Sequence, residues 1–450
     1  MVEIPLQKKV TELKSWEREL SGLKKVCLSF FPRIYRPYVE NRLRVGDFNN
    51  VGVIIEGLRF LFVEILLCNL FGLGILLCLY IVRPFRFIKL CKIRSINIGQ
   101  QAGNTGLFLR RLQLGKVRQN NRILYVGISG KPDNQQLLKM FERKLHIIQI
   151  QSEFLRNIHA RSILSKSVFY EELPLPHNAY YEFNNTEPDL HFTSAEEEEG
   201  RKLLSKMGID DKSWFVCFYS RDPAFQSRLP VQRQYPGDFR NSDIDNYLEA
   251  AKYIASCGGF AIRMGYIVAK KLPDLNNPRI IDYASNYRTD FGDIYLLAKC
   301  KFFIGDTAGL WVVATIFNVP VAGVNFIPFH TPFRKGDLVI PKKIRPNEGK
   351  RFLTLREYIE FADKSGNLDN FTFNEKLNAG KDVVIENTSG EILDLAKEMN
   401  ERLDGTFETT GEDEELQARF RSLLQPPNYF AGTPARIGAK FLRENRELLE

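Results

Sequence analysis

Hydrophobic positions along the chain fall into three regimes. Over residues 1–59 they recur at helical spacing, with Leu13, Trp16, Leu20 and Leu23 on one face and Lys14, Arg18, Lys24 and Lys25 elsewhere. From Phe60 to Val82 the run is almost wholly apolar, and its last 18 residues, from Ile65, carry no charge. That length just suffices to span a bilayer core. Beyond residue 92 short apolar runs alternate with amphipathic ones. Ile93–Ile98, Arg122–Gly127, Trp214–Tyr219, Gly259–Met264, Arg279–Asp282, Phe302–Gly305 and Val319–Val324 read as strands. Asn134–Arg143, Asp243–Ser256, Phe291–Lys299, Gly309–Phe317 and residues 389–403 read as helices. Strand and helix alternating at this spacing predict an α/β protein with parallel, doubly wound sheets.

With 450 residues the chain exceeds one ordinary core. The expected division is a basic helical and hydrophobic membrane-associating region at 1–92, an α/β half at 93–212, a second α/β half at 213–403, and a partly ordered tail at 404–450. Thr193 with Glu196 predicts a capping box, and the following acidic run reads as a solvated helix start.

Charge sharpens this division. The net charge is +9, but residues 1–100 hold 16 Lys/Arg against 8 Asp/Glu, leaving 47 against 46 for the rest. A basic excess confined to the most apolar part of the chain points to anionic lipid rather than nucleic acid. Arg83, Arg86, Lys89, Lys92 and Arg94 directly follow the apolar run, as a cytoplasmic flank would. A single span and an interfacial insertion both fit, with all later residues facing the cytoplasm. The seven cysteines form no CxxC pair and the five histidines no metal-ligand spacing, so neither a disulfide framework nor a metal site is expected.

The chemistry gathers in the second α/β half. In Phe303-Ile304-Gly305-Asp306-Thr307-Ala308-Gly309 a buried strand gives way to a helix across a small-residue turn. Ligands of parallel sheets bind outside the carboxyl ends of strands, and a helix N-terminus there offers N–H groups to phosphate. Asp306, Thr307, Ala308 and Gly309 are therefore candidate donor-binding positions, although an ordinary N-cap would read the same way. Arg221 and Arg263 arrive at the ends of two other strands, and an arginine fork suits a pyrophosphate. Asp282-Tyr283 ends a fourth strand, where Tyr283 could stack on a base. Lys335 and Lys343 could extend the basic lining. Walker A, GxGxxG and GxSxG motifs are absent, and no strand-flanked DxD pair occurs.

Several stretches together carry a resemblance. They are Leu190–Thr193, Glu196–Gly200, Phe215–Cys217 with Ser220-Arg221-Asp222, Arg240–Tyr247, Gly258–Gly265, Phe303–Leu310 and Gly336–Lys343, with Ile98-Gly99 and Asn104-Thr105 upstream. They resemble a bacterial glycosyltransferase family of surface-polysaccharide loci over roughly residues 93–450. The Asp306–Gly309 turn is similar to the phosphate-binding turn of heptosyltransferases, and Arg221 to the strand-end arginine of fucosyltransferases that use a guanosine diphosphate donor. The resemblance implies a GT-B-like fold of two Rossmann-like domains with the nucleotide on the second. Two departures stand out: Gln100-Gln101-Ala102-Gly103 replaces a His-containing loop, and Phe60–Val82 is more apolar than the family requires.

The expected activity is metal-independent transfer of a sugar from a nucleoside diphosphate sugar to a glycan or lipid-linked acceptor, with no cofactor. Asp222 is the first candidate for general base and His177 the second. The alternatives are a membrane-tethered, non-catalytic nucleotide-binding scaffold, and a transferase of another phosphate-linked group such as glycerol phosphate.

Overall fold

The computed structural model describes residues 60–95, 97–175, 179–228, 238–327, 331–347, 349, 351–364, 370–424 and 432–450. The periodicity read over residues 1–59, and His177, lie outside them.

Two parallel sheets organise the chain. In the first, β1 (Phe87–Lys92), β2 (Ile123–Ser129), β3 (His146–Gln149) and β4 (Tyr170–Glu171) stand in the order β3-β2-β1-β4. In the second, β5 (Phe215–Tyr219), β6 (Phe260–Arg263), β7 (Ile280–Asp282), β8 (Phe303–Gly305), β9 (Val321–Phe326), β10 (Leu338–Pro341) and β13 (Arg436–Ile437) stand in the order β13-β10-β9-β8-β5-β6-β7. The intervening β11 (Lys343–Arg345) and β12 (Val383–Ile385) form a separate antiparallel pair. Continuous burial of β5, β8 and β9 matches their unbroken apolar sequences, as expected for strands covered on both faces.

The first strand is a correction. It runs over Phe87–Lys92, and the residues after Asn97, read as a strand end and loop, begin a helix. The supposed basic flank is thus partly strand, with Lys89 paired across the sheet to Glu171 at 2.5 Å. The stretch after residue 404 also differs from the partly ordered tail expected. It contains helices Gly411–Leu423 and Ala439–Glu444, and its strand β13 pairs with β10.

The apolar run divides into a π-helical turn, Phe60–Leu67, and helix α1, Cys68–Val82. Among the described residues no helix is long and apolar enough to cross a membrane. One side of α1 is also docked on protein. Cys68, Gly72 and Leu79 are buried, and Asn69 accepts a hydrogen bond from the Ile163 amide at 2.8 Å. Its other side is bare: Leu70, Leu77 and Ile81 are 63%, 57% and 72% exposed.

Four further helices flank the sheets. They are α2 (Ile98–Gln113), α3 (Gln135–Glu142), α4 (Glu153–Arg161) and, in the second half, α5 (Gly309–Ile316). Helices α2 and α5 lie side by side. A Cβ on Gly99 would meet Gly309 Cα at 2.8 Å, and one on Gly106 would meet Ile316 Cγ2 at 2.8 Å. Both contacts pair residues at the same chain offset, so the helices run parallel with their N-termini together. Buried apolar residues of both halves merge into one continuous core.

Candidate functional site

Each sheet has one point where the chain reverses its direction of winding. From β5 the chain proceeds outward to β6 and β7, then returns to the other side of β5 as β8. From β1 it proceeds to β2 and β3, then returns beside β1 as β4. Crevices form outside the carboxyl ends of strands at such points. In the second sheet the crevice lies between the loop beginning Ser220-Arg221-Asp222 and the turn Asp306–Gly309. In the first it lies between residues 93–95 and residues 172–175. The Gly99–Gly309 contact sets the two crevices next to each other, with two helix N-termini at their junction.

These N-termini are not equivalent. Asn97 caps α2 by accepting from the Gln100 amide at 2.8 Å. The start of α5, after Ala308, has no side-chain cap. Thr307 does not supply one, because its hydroxyl donates to the Ile327 carbonyl at 2.7 Å. An uncapped N-terminus at a switch point is the best-placed group here for an anion. Of the predicted turn, Ala308 and Gly309 form the uncapped helix start, while Thr307 ties the turn to the end of β9.

Asp306 faces inward. Its Oδ2 accepts from the Arg221 amide at 2.5 Å and from Ser242 Oγ at 2.9 Å, while Oδ1 has no partner. This clamps the turn after β8 to the loop after β5. Burial pushes its pKa up to about 6, against the opposing hydrogen bonds and the charges of Arg221 and Lys342. A folded-state value above the ordinary ~3.9 stabilises the fold below about pH 4 and loses that contribution as pH rises through about 6, a shift worth about 3 kcal/mol. Asp337, raised to about 7 by burial, acts in the same direction. The contribution of these two carboxyls to thermal stability is thus expected to fall between about pH 4 and pH 7. Asp306→Asn should flatten the fall, because its amide oxygen still accepts both hydrogen bonds; an unchanged slope in a melting series would refute this.

Arg221 is buried, and its Nη2 donates to Asp238 at 3.1 Å, while Nε has no partner. Asp238 is also held by Arg240 at 2.7 Å. A phosphate reaching Arg221 must therefore compete with Asp238. Lys342, which the sequence reading passed over in favour of Lys335 and Lys343, lies in the same layer. Its ammonium donates to the carbonyls of Phe239 and Asn241 at 3.0 and 2.5 Å. Burial pulls its pKa below the usual range, opposed by Glu386, Asp306 and Asp238. The signal for it was its position immediately after Pro341, at a strand's carboxyl end. Lys343 instead pairs with Glu391 at 2.9 Å. Lys335 contributes its backbone amide to Asn184.

Three other expected donor ligands have structural partners. Arg263 is fully buried, donating to Asp282 at 3.1 Å and to the Lys270 carbonyl at 2.9 Å. Asp282 also caps the turn at Ser285 and receives the Leu272 amide. Tyr283, likewise fully buried, donates to the Thr289 carbonyl at 2.8 Å. In this conformation all three are held by these partners. Asp222 is likewise engaged by neighbouring backbone. Its Oδ1 accepts from the Ala224 amide and its Oδ2 from the Ala269 amide, both at 2.8 Å, so the carboxylate holds two loops together. Asp222→Asn should lower the melting temperature, by about 1–3 kcal/mol of stability, since an amide nitrogen cannot accept from Ala269. Substrate turnover should persist in that variant; loss of turnover at unchanged stability would restore Asp222 as a base.

No family model and no curated protein matches the chain. The solved structures to which it is similar include three glycosyltransferases. The ADP-heptose lipopolysaccharide heptosyltransferase II of E. coli is 14% identical at a TM-score of 0.36, covering 65% of this chain and 98% of that one. A family 9 glycosyl transferase from Veillonella parvula is 11% identical at 0.37, covering 66% and 97%. E. coli heptosyltransferase WaaC, solved with ADP, is 10% identical at 0.31, covering 63% and 100%. At these identities no residue's role transfers to this chain.

Proposed function

We propose that this chain is a glycosyltransferase that moves a sugar from a nucleoside diphosphate sugar to a glycan or lipid-linked acceptor in surface-polysaccharide synthesis. One observation carries the reading: the uncapped N-terminus of α5, at the switch point of one parallel sheet, meets the N-terminus of α2 beside the switch point of another. Two facing crevices suit a reaction between two substrates. The amides at Gly309 would hold the donor's diphosphate, with Arg221 reached by displacing Asp238. Together they would stabilise the leaving charge without a metal ion. The bare face of α1 would rest on a membrane, with the sheets on its cytoplasmic side.

A second reading has its own support. Residues 93–97 contain no carboxylate or histidine, and Asp222 and Asp306 are engaged internally. A nucleotide-binding scaffold without catalysis would look the same. Thermal-shift titration with ADP, GDP and UDP, followed by a donor-hydrolysis assay, separates the readings. At least one nucleotide should stabilise the protein, by about 2.7 kcal/mol at a hundredfold excess over Kd, and Arg221→Ala should lose this. No stabilisation by any of them sinks both readings. Binding without turnover favours the scaffold.

A further inference from the structure

We infer that the carboxyl edge of the first sheet binds the phosphate head of an amphiphilic acceptor whose alkyl chain lies along α1; this rests on the transferase reading and names the acceptor's chemistry. Lys92 is the last residue of β1 and Arg94 follows two positions on. Both are partly exposed, and neither makes a hydrogen bond or an ion pair among the described residues. Arg156 joins them from α4. Its guanidinium packs so closely on Gly130 that a Cβ there would meet Nη1 at 2.5 Å, and it donates to the Ile150 carbonyl at 3.3 Å. This places it over the ends of β2 and β3. Arg161, on the same helix, lies 3.7 Å from Glu153.

These cations repel one another. Burial, then Arg161, Arg94 and Arg156, pulls the Lys92 pKa down, and Glu153 is the opposing charge. A dianionic phosphate at the edge would remove that repulsion, and it would sit beside the start of α2, next to the junction of the two crevices.

What borders the cations selects an amphiphile over a free anion. Helix α1 crosses α4, with Phe71 and Phe154 rings 5.9 Å apart and Gly72 against Ser162. Leu66, just before α1, and Leu70, Leu73 and Leu77 on α1 are exposed, as are Leu155 on α4 and Ile163 just after it. Exposed apolar side chains on the two helices packed beside the cluster that holds Lys92 and Arg94 are complementary to an alkyl chain with a phosphate head.

Calorimetric titration of the full chain with decyl phosphate, decanol and inorganic phosphate tests this, with ADP as a parallel ligand. Decyl phosphate should bind at least tenfold more tightly than either decanol or inorganic phosphate. Lys92→Gln/Arg94→Gln should weaken it at least tenfold while leaving the ADP isotherm unchanged and the melting temperature no lower. Equal binding of decyl phosphate to wild type and variant overturns the proposal, as does inorganic phosphate binding as tightly as decyl phosphate. Decyl phosphate binding without binding of any nucleoside diphosphate would keep this site and remove the donor reading.

Discussion

Gly309→Ala should weaken nucleoside diphosphate binding at least tenfold and lower the melting temperature by several degrees. The reason is proximity, since Gly309 does not adopt a left-handed conformation. An added Cβ would stand 2.6 Å from the Gly99 amide nitrogen, 2.8 Å from Ile98 Cγ2 and 3.0 Å from Gly99 Cα. Two of these atoms are backbone, held in the first turn of α2 and unable to rotate away. Overpacking costs about 1–3 kcal/mol when side chains can adjust, and here the adjustment must separate two helices. That separation shifts the first turn of α5, whose amides are the proposed phosphate ligands. Gly390 is the control: a Cβ there meets only Thr388 Oγ1 at 3.8 Å, so Gly390→Ala should leave the protein as stable or slightly more so. Isothermal titration and melting curves for both variants decide the matter. If Gly309→Ala binds nucleotide as the wild type does, the phosphate does not sit at this turn.

Five strands of the second sheet, β5 to β9, were readable because each is a short apolar run, the signature of parallel strands covered on both faces, whereas β10 and β13 were not. The turn after Phe303-Ile304-Gly305 was readable for the same reason. The first strand was not. Phe87–Lys92 carries Lys89 and Lys92, which beside an apolar run look like a membrane flank, and the partner of Lys89, Glu171, is 82 positions away. Strand-end arginines were read as ligands because local sequence does not say what they bond. Arg263 is in register with Asp282 on the neighbouring strand, so the ion pair follows from strand pairing and not from either residue's neighbours. Asp222 similarly meets Ala269 only after two loops are brought together. The Gly99–Gly309 junction, which gives the site its form, joins positions 210 residues apart.

The far end of the same helix pair yields the other large effect: Arg110→Met should cost about 2–4 kcal/mol and also weaken nucleotide binding. Arg110 sits in the last turn of α2, is buried, and donates across the junction to the Ile316 carbonyl at 3.0 Å and Asn318 Oδ1 at 2.8 Å. Within its own half it donates to the Thr186 carbonyl at 2.9 Å and Thr186 Oγ1 at 2.8 Å, and it packs over the Phe183 ring at 4.6 Å. One guanidinium thus caps the carboxyl end of α5 from the other sheet, where a cation also meets the negative end of the helix dipole. Burial lowers its pKa to about 10, with Arg334 acting the same way and Asp189 and Glu187 against, so it stays charged at neutral pH. Methionine keeps the packing but leaves these acceptors without a donor, at about 1–3 kcal/mol for a buried group. Arg110→Lys should recover little, because a single ammonium cannot reproduce the fork. The effect on binding is the informative part. Arg110 lies about 16 Å along α2 from Gly99, too far to touch a ligand at Gly309, so a lower affinity must pass through the α2–α5 contact. If Arg110→Met lowers the melting temperature while leaving the nucleotide Kd unchanged, the second half carries the donor site alone and the junction with α2 serves stability only.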